Sequence, residues 1–105
     1  MARWTSSIDD ILKIRLVARQ IPLDGIARIV LLDDTAIEGV IREVNVGNSG
    51  GPGGWQYYGE CQIETRKKKL RTVDYLDVRF ASSIWSKETA AEYERLGLLV
   101  NVQRT

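Results

Sequence analysis

Arg66, Lys67, Lys68 and Lys69 stand in a row, with Arg71 two positions further on. Cations grouped on one short turn can neutralise neighbouring phosphate oxygens, which is the electrostatic footprint of a nucleic-acid contact. The same run also serves as a solvated turn, because lysine beside a sheet edge discourages strand pairing between molecules. Trp55, Tyr57 and Tyr58 supply flat rings on which bases can stack. Alternation along a strand sends Trp55 and Tyr57 to one face and Tyr58 to the other, so at most two share a surface. Core packing is their other use.

Catalytic groupings are scarce. Histidine is absent, which removes imidazole acid–base chemistry, Ser-His-Asp and Cys-His pairs and nearly all catalytic zinc sites. Carboxylate and lysine chemistry survive that exclusion. Asp33 and Asp34 are neighbours in a turn, where aspartate is common. Asp74 and Asp77 lie three positions apart, so a straight strand points them to opposite faces. Cys61, the only cysteine, falls on the same face as Ile63 and reads as a buried, inert thiol. Residues 48–54 (NSGGPGG) lack a Gly-Lys-Ser/Thr ending, so they are not a nucleotide P-loop. No catalytic residue, metal site or cofactor is expected.

The elements that position these groups follow from periodicity and turn chemistry. Four glycines and a proline in residues 48–54 oppose both helix and ladder, which makes that segment a hairpin loop between two strands. After it, Trp55, Tyr57, Gly59, Cys61, Ile63 and Thr65 alternate with Gln56, Tyr58, Glu60, Gln62 and Glu64, the cleanest period of two in the chain. Before it, residues 26–32 and 36–46 read as strands joined at Asp33-Asp34-Thr35, and Gly39 marks a bend or bulge. Residues 70–80 supply one or two more strands. Ser7 and Asp10 approximate a capping box ahead of a helix running to about Arg19, although Leu12, Ile14 and Leu16 also have strand spacing. A second helix starts at Ser86 and ends at Leu96-Gly97, where glycine suits the C-cap. Leu98, Leu99, Val100, Asn101 and Val102 form a packed tail or an added edge strand. Trp4 and Trp85 flank the helices and either anchor them or join an interface.

A helix followed by strands on short turns, with a bent second strand, suggests a small β-barrel. Residues 31–45 (LLDDTAIEGVIREVN) carry the resemblance: Leu31 ends an apolar strand, Asp33 opens an acidic turn, Gly39 lies in the bent strand, Ile41 and Val44 follow, then Asn45. This stretch resembles the first motif of Sm-like proteins. Asp34 stands where that motif usually has glycine. The second motif's Arg-Gly is absent, its place reading Leu70-Arg71-Thr72-Val73. The resemblance implies an SH3-like or Sm-like fold and an RNA site shared by two loops, of which Asn45 carries over, with Arg71 as the second candidate.

The expectation is one α+β domain over residues 1–105: a strongly bent antiparallel sheet or small barrel of about five strands, with a helix near each end. Net charge is +1, so binding to polyanions must come from a local patch. No apolar run is long enough to span a membrane. The first residues lack a signal-peptide core, and a cytoplasmic location follows as the expectation. The functional expectation is a non-enzymatic binding module that forms homo-oligomers. Its expected nucleic-acid residues are Asn45, Trp55, Tyr58, Arg66, Lys67, Lys68, Lys69 and Arg71. The alternative is a protein–protein adaptor of phage or mobile-element type without nucleic-acid binding. A small enzyme with a site between subunits is the third.

Overall fold

Two hairpins of the same design organise the strands. In each, a three-residue tip is closed by reciprocal backbone bonds: Leu31 N–H to Thr35 O and Asp34 N–H to Leu31 O in the first, Thr65 N–H to Lys69 O and Lys68 N–H to Thr65 O in the second. The design needs a left-handed residue before the returning strand, and Asp34 (φ 70°) and Lys68 (φ 62°) occupy it. Aspartate tolerates that region better than most side chains, which explains how Asp34 replaces a glycine.

The computed structural model describes residues 3–5, 7–48 and 56–99. In chain order it contains α1 (Ile8–Gln20), β1 (Ile26–Leu31), β2 (Ala36–Asn48), β3 (Tyr57–Thr65), β4 (Leu70–Asp74), a 3-10 turn (Tyr75–Asp77), β5 (Val78–Ser83) and α2 (Lys87–Arg95). The fold is α+β. The five strands form one antiparallel sheet in the order β4-β3-β2-β1-β5, and β4 and β5 are its unjoined edges, so the sheet is not closed. β2 is shared between two partners: its first part pairs with β1, its longer second part with β3, and the register shifts between Ile41 and Glu43. Gly39 sits just before that shift. A Cβ there would collide with the Glu64 carbonyl of β3, so the close approach of the two backbones requires glycine.

One face of the sheet carries the larger core. Ile14, Val17 and Ile21 of α1 and its C-cap pack on Ile29, Ile37, Ile41, Cys61, Ile63, Tyr75 and Val78. Helix wins over strand for residues 8–20 because apolar groups occupy two faces of α1. Ile14 and Val17 are buried, while Ile8, Leu12 and Leu16, four apart, line the outside. The outward leucines created the strand-like alternation. The expected capping box does not form: Ser7 makes no side-chain cap bond, and the Thr5 hydroxyl instead donates to Asp10 at 3.0 Å.

The opposite face carries a smaller cluster of Ile26, Val40, Tyr93 and Leu98, which seats α2. α2 begins as expected, with Ser86 Oγ accepting from Thr89 N–H at 3.0 Å. It ends in a Schellman motif: Leu98 N–H donates to Tyr93 O and Gly97 N–H to Glu94 O, with Gly97 at φ 79°. Leu98 is buried and Leu99 packs beside it, while residues 100–102 of the expected tail lie outside the described residues. The 3-10 turn corrects the straight-strand reading of Asp74 and Asp77. The chain turns between them, and Arg3 bridges both carboxylates at 3.2 and 2.6 Å.

Candidate nucleic-acid interface

β2 outruns β3. Val30, Ile29 and Arg28 of β1 stand opposite Ala36, Ile37 and Glu38, whereas β3 joins β2 only from Gly39, opposite Thr65. Residues 36–38 therefore have a strand on one side only, and the β3–β4 turn rises beside the gap. The result is an open groove of about 550 Å³. Its floor is Ala36, Ile37 and Glu38. Arg66, Lys67, Lys69 and Arg71 stand on the turn side and Arg28 reaches in from β1.

These five cations are not equivalent. Arg66 donates to Glu92 of α2 at 2.8 Å and to Glu38 at 2.7 Å, and its guanidinium lies 5.0 Å from the centre of the Tyr93 ring. The hydrogen bond from Arg66 holds the Glu92 carboxyl below its usual range, and the two carboxylates raise the guanidinium still further. Arg28 is paired with the other oxygen of Glu38 at 3.1 Å. Lys67, Lys69 and Arg71 are exposed, and their side chains make no ion pair or hydrogen bond among the described residues. Lys68 does not line the groove. Its ammonium points toward Gly97 at the end of α2, where helix carbonyls favour a cation.

The other sequence candidates lie elsewhere. Asn45 stands opposite Glu60 and Tyr58 opposite Gly47, at the far end of the β2–β3 ribbon. Six to eight residues of strand separate them from the turn, roughly 20–25 Å. Asn45 donates to Glu43 at 2.8 Å, and the Tyr58 ring packs on Trp4 with centroids 4.9 Å apart. Trp55 lies outside the described residues. The structure thus brings Arg66, Lys67, Lys69 and Arg71 together and holds Asn45 and Tyr58 apart from them. Asn45 and Arg71, the two positions taken from the Sm-like resemblance, do not converge either, since Arg71 stands opposite Ile63.

Arg28 and the open floor of β2 escaped sequence reasoning. Their signal is a register: β2 is longer than β3, which only the pairing reveals. Cys61 is fully buried, as expected, and burial pushes its thiol up to about 12. Among the described residues no three potential metal ligands converge, and no helix is long and apolar enough to cross a membrane. Comparison with protein-family models, curated proteins and solved structures finds no match.

Proposed function

We propose that this chain is a non-enzymatic binding module of the Sm-like or SH3-like small-barrel kind, which holds nucleic-acid phosphates in the groove beside the β3–β4 turn and self-associates. The observation that carries the reading is the cluster of three exposed cations, Lys67, Lys69 and Arg71, unpaired among the described residues, on one groove of a nearly neutral protein. The barrel assignment draws on the motif in residues 31–45, the helix ahead of β1 and the irregularity of β2 between Ile41 and Glu43. Phosphate contacts fix position without reading sequence, so the expected binding tolerates many sequences.

Fluorescence anisotropy with labelled single-stranded RNA and DNA, between low and moderate salt, tests this. Three neutralised phosphates give log K against log [salt] a slope of about −2. Lys67→Ala/Lys69→Ala/Arg71→Ala abolishes the slope and most of the affinity, while Lys68→Ala changes little. Salt-independent binding, or an equal loss with Lys68→Ala, would sink the reading. An acidic peptide is the second reading, because residues 36–38 offer an open strand edge to which an extended chain can add.

A further inference from the structure

Helix α1 is apolar on two faces, and the sheet covers only one of them. Ile14 and Val17 are buried in the larger core. Ile8, Leu12 and Leu16 point away from it; they are 74%, 55% and 56% exposed and belong to neither apolar cluster. Their spacing of four sets them in one row along the helix. A helix on a protein surface turns charge to water, whereas one that is apolar all round is covered all round. Exposed charges border the row unevenly: Asp9 stands in the first turn, Arg15 and Arg19 in the second half. Their side chains make no ion pair or hydrogen bond among the described residues, whereas Asp10 is engaged by Thr5 and Lys13 donates to the Leu76 carbonyl. The face continues onto the sheet, because Arg15 and the exposed Val46 of β2 line one cleft.

We infer that this face binds the same face of a second copy of the chain, the two α1 helices lying antiparallel about a twofold axis at Leu12. This rests on the self-association proposed above and names its surface. The row is symmetric about Leu12, so the axis sets Ile8 of each copy against Leu16 of the other, and Leu12 against Leu12. The same operation lays the acidic first turn of each helix beside the basic second half of the other, with Asp9 level with Arg15. A parallel pair would put Arg15 and Arg19 beside their own counterparts and align the two helix dipoles. An apolar partner of another kind would leave these charges unanswered. Charge complementarity therefore selects a second copy, and the antiparallel arrangement of it. The contact is isologous, so it closes at two subunits, and it uses no residue of the groove. A helix pair with little flanking surface lies at the small end of specific interfaces, which makes the dimer reversible.

The test is sedimentation velocity of the full chain over a concentration series, with urea unfolding of each variant alongside. Every substituted side chain is exposed, so the unfolding midpoints should hardly move. The wild type should sediment as a reversible dimer, and Leu12→Gln/Leu16→Gln should weaken it about tenfold or more. Asp9→Lys makes the charges of the face wholly basic, and Arg15→Glu/Arg19→Glu makes them wholly acidic. Each should sediment as a single chain, and their mixture as a dimer. Ile8→Cys mixed with Leu16→Cys and oxidised with diamide should give a disulfide-linked heterodimer, while Ile8→Cys alone should not; Cys61 is buried and does not compete. If Ile8→Cys alone links as readily as the mixture, the helices are parallel and the inference fails. A wild-type dimer unmoved by Leu12→Gln/Leu16→Gln would put self-association on another surface and overturn this inference alone. A wild type that stays a single chain at every concentration removes both, and leaves the groove reading standing. If that single chain instead binds phosphatidylglycerol vesicles and Leu12→Gln/Leu16→Gln does not, the face belongs to a lipid surface and the inference is wrong.

Discussion

At the scale of single residues, the tightest constraints are steric and protonic. Gly39→Ala places a methyl group against the Glu64 carbonyl inside a ladder that cannot yield, and should cost about 3 kcal/mol in urea unfolding. An unchanged midpoint would mean that β2 and β3 do not approach as described. Cys61 links stability to pH. The unfolded thiol ionises near pH 8.5 while the folded one, raised to about 12, keeps its proton. The unfolded chain therefore binds fewer protons in that window, and stability falls as pH rises, by about 2 kcal/mol at pH 10. Burial raises Tyr75 and Tyr93 as well, which extends the loss above pH 10. Unfolding midpoints at pH 7.5 and 10 should diverge less in Cys61→Ala than in the wild type; an identical divergence would assign the loss elsewhere. Cys61 and Gly39 were legible in the sequence because each depends on local alternation or on the absence of a side chain. The pairing of Arg3 with Asp74 and Asp77 was not, since nothing local relates residues 71 and 74 positions apart.

At the scale of elements, the strands and both helices were legible within a few residues, since each has its own period or punctuation. The groove was not, because it arises from a length mismatch between β2 and β3 rather than from a motif. Helix α2 is fastened by long-range contacts. Arg66 grips Glu92, and Arg42 donates to the Leu98 carbonyl at 2.6 Å while pairing with Glu64 at 2.8 Å. Glu92→Gln removes an exposed, solvent-screened ion pair, so global stability should change little. Its larger effect should be local. Hydrogen exchange at Tyr93, Gly97 and Leu98 should accelerate while the β2–β3 amides stay protected. In the same variant Arg66 gains freedom, and the salt slope for oligonucleotide binding should steepen from about −2 to nearer −3. Unaltered exchange and slope would show that the Schellman end and the apolar seat hold α2 without Arg66.

At the scale of the whole molecule, the sheet's two edges differ. The outward N–H of Ala81 on β5 is taken by the Gln20 side chain at 2.8 Å, so α1 guards that edge. Thr65 of β3 bonds to Lys69, and by alternation Arg71 and Val73 of β4 belong to the bonded pairs with β3, which leaves the Thr72 N–H facing out. If self-association uses β4, Thr72→Pro removes that donor without breaking the ladder. Sedimentation velocity should then drop from a multiple of 11.9 kDa to the single-chain mass. A wild type that already sediments as one chain would end the self-association proposal.

Arg66 belongs to two structures at once, the tip of a hairpin and the seat of a helix. For any anion that draws on it, Glu92 acts as an intramolecular competitor at a fixed effective concentration. The cycle must close, so the factor by which such an anion loosens α2 equals the factor by which a seated α2 weakens the anion. The affinity of the groove is thereby tied to the seating of α2. Conditions that fray α2 would strengthen binding by releasing Arg66 to the groove, with no groove residue substituted.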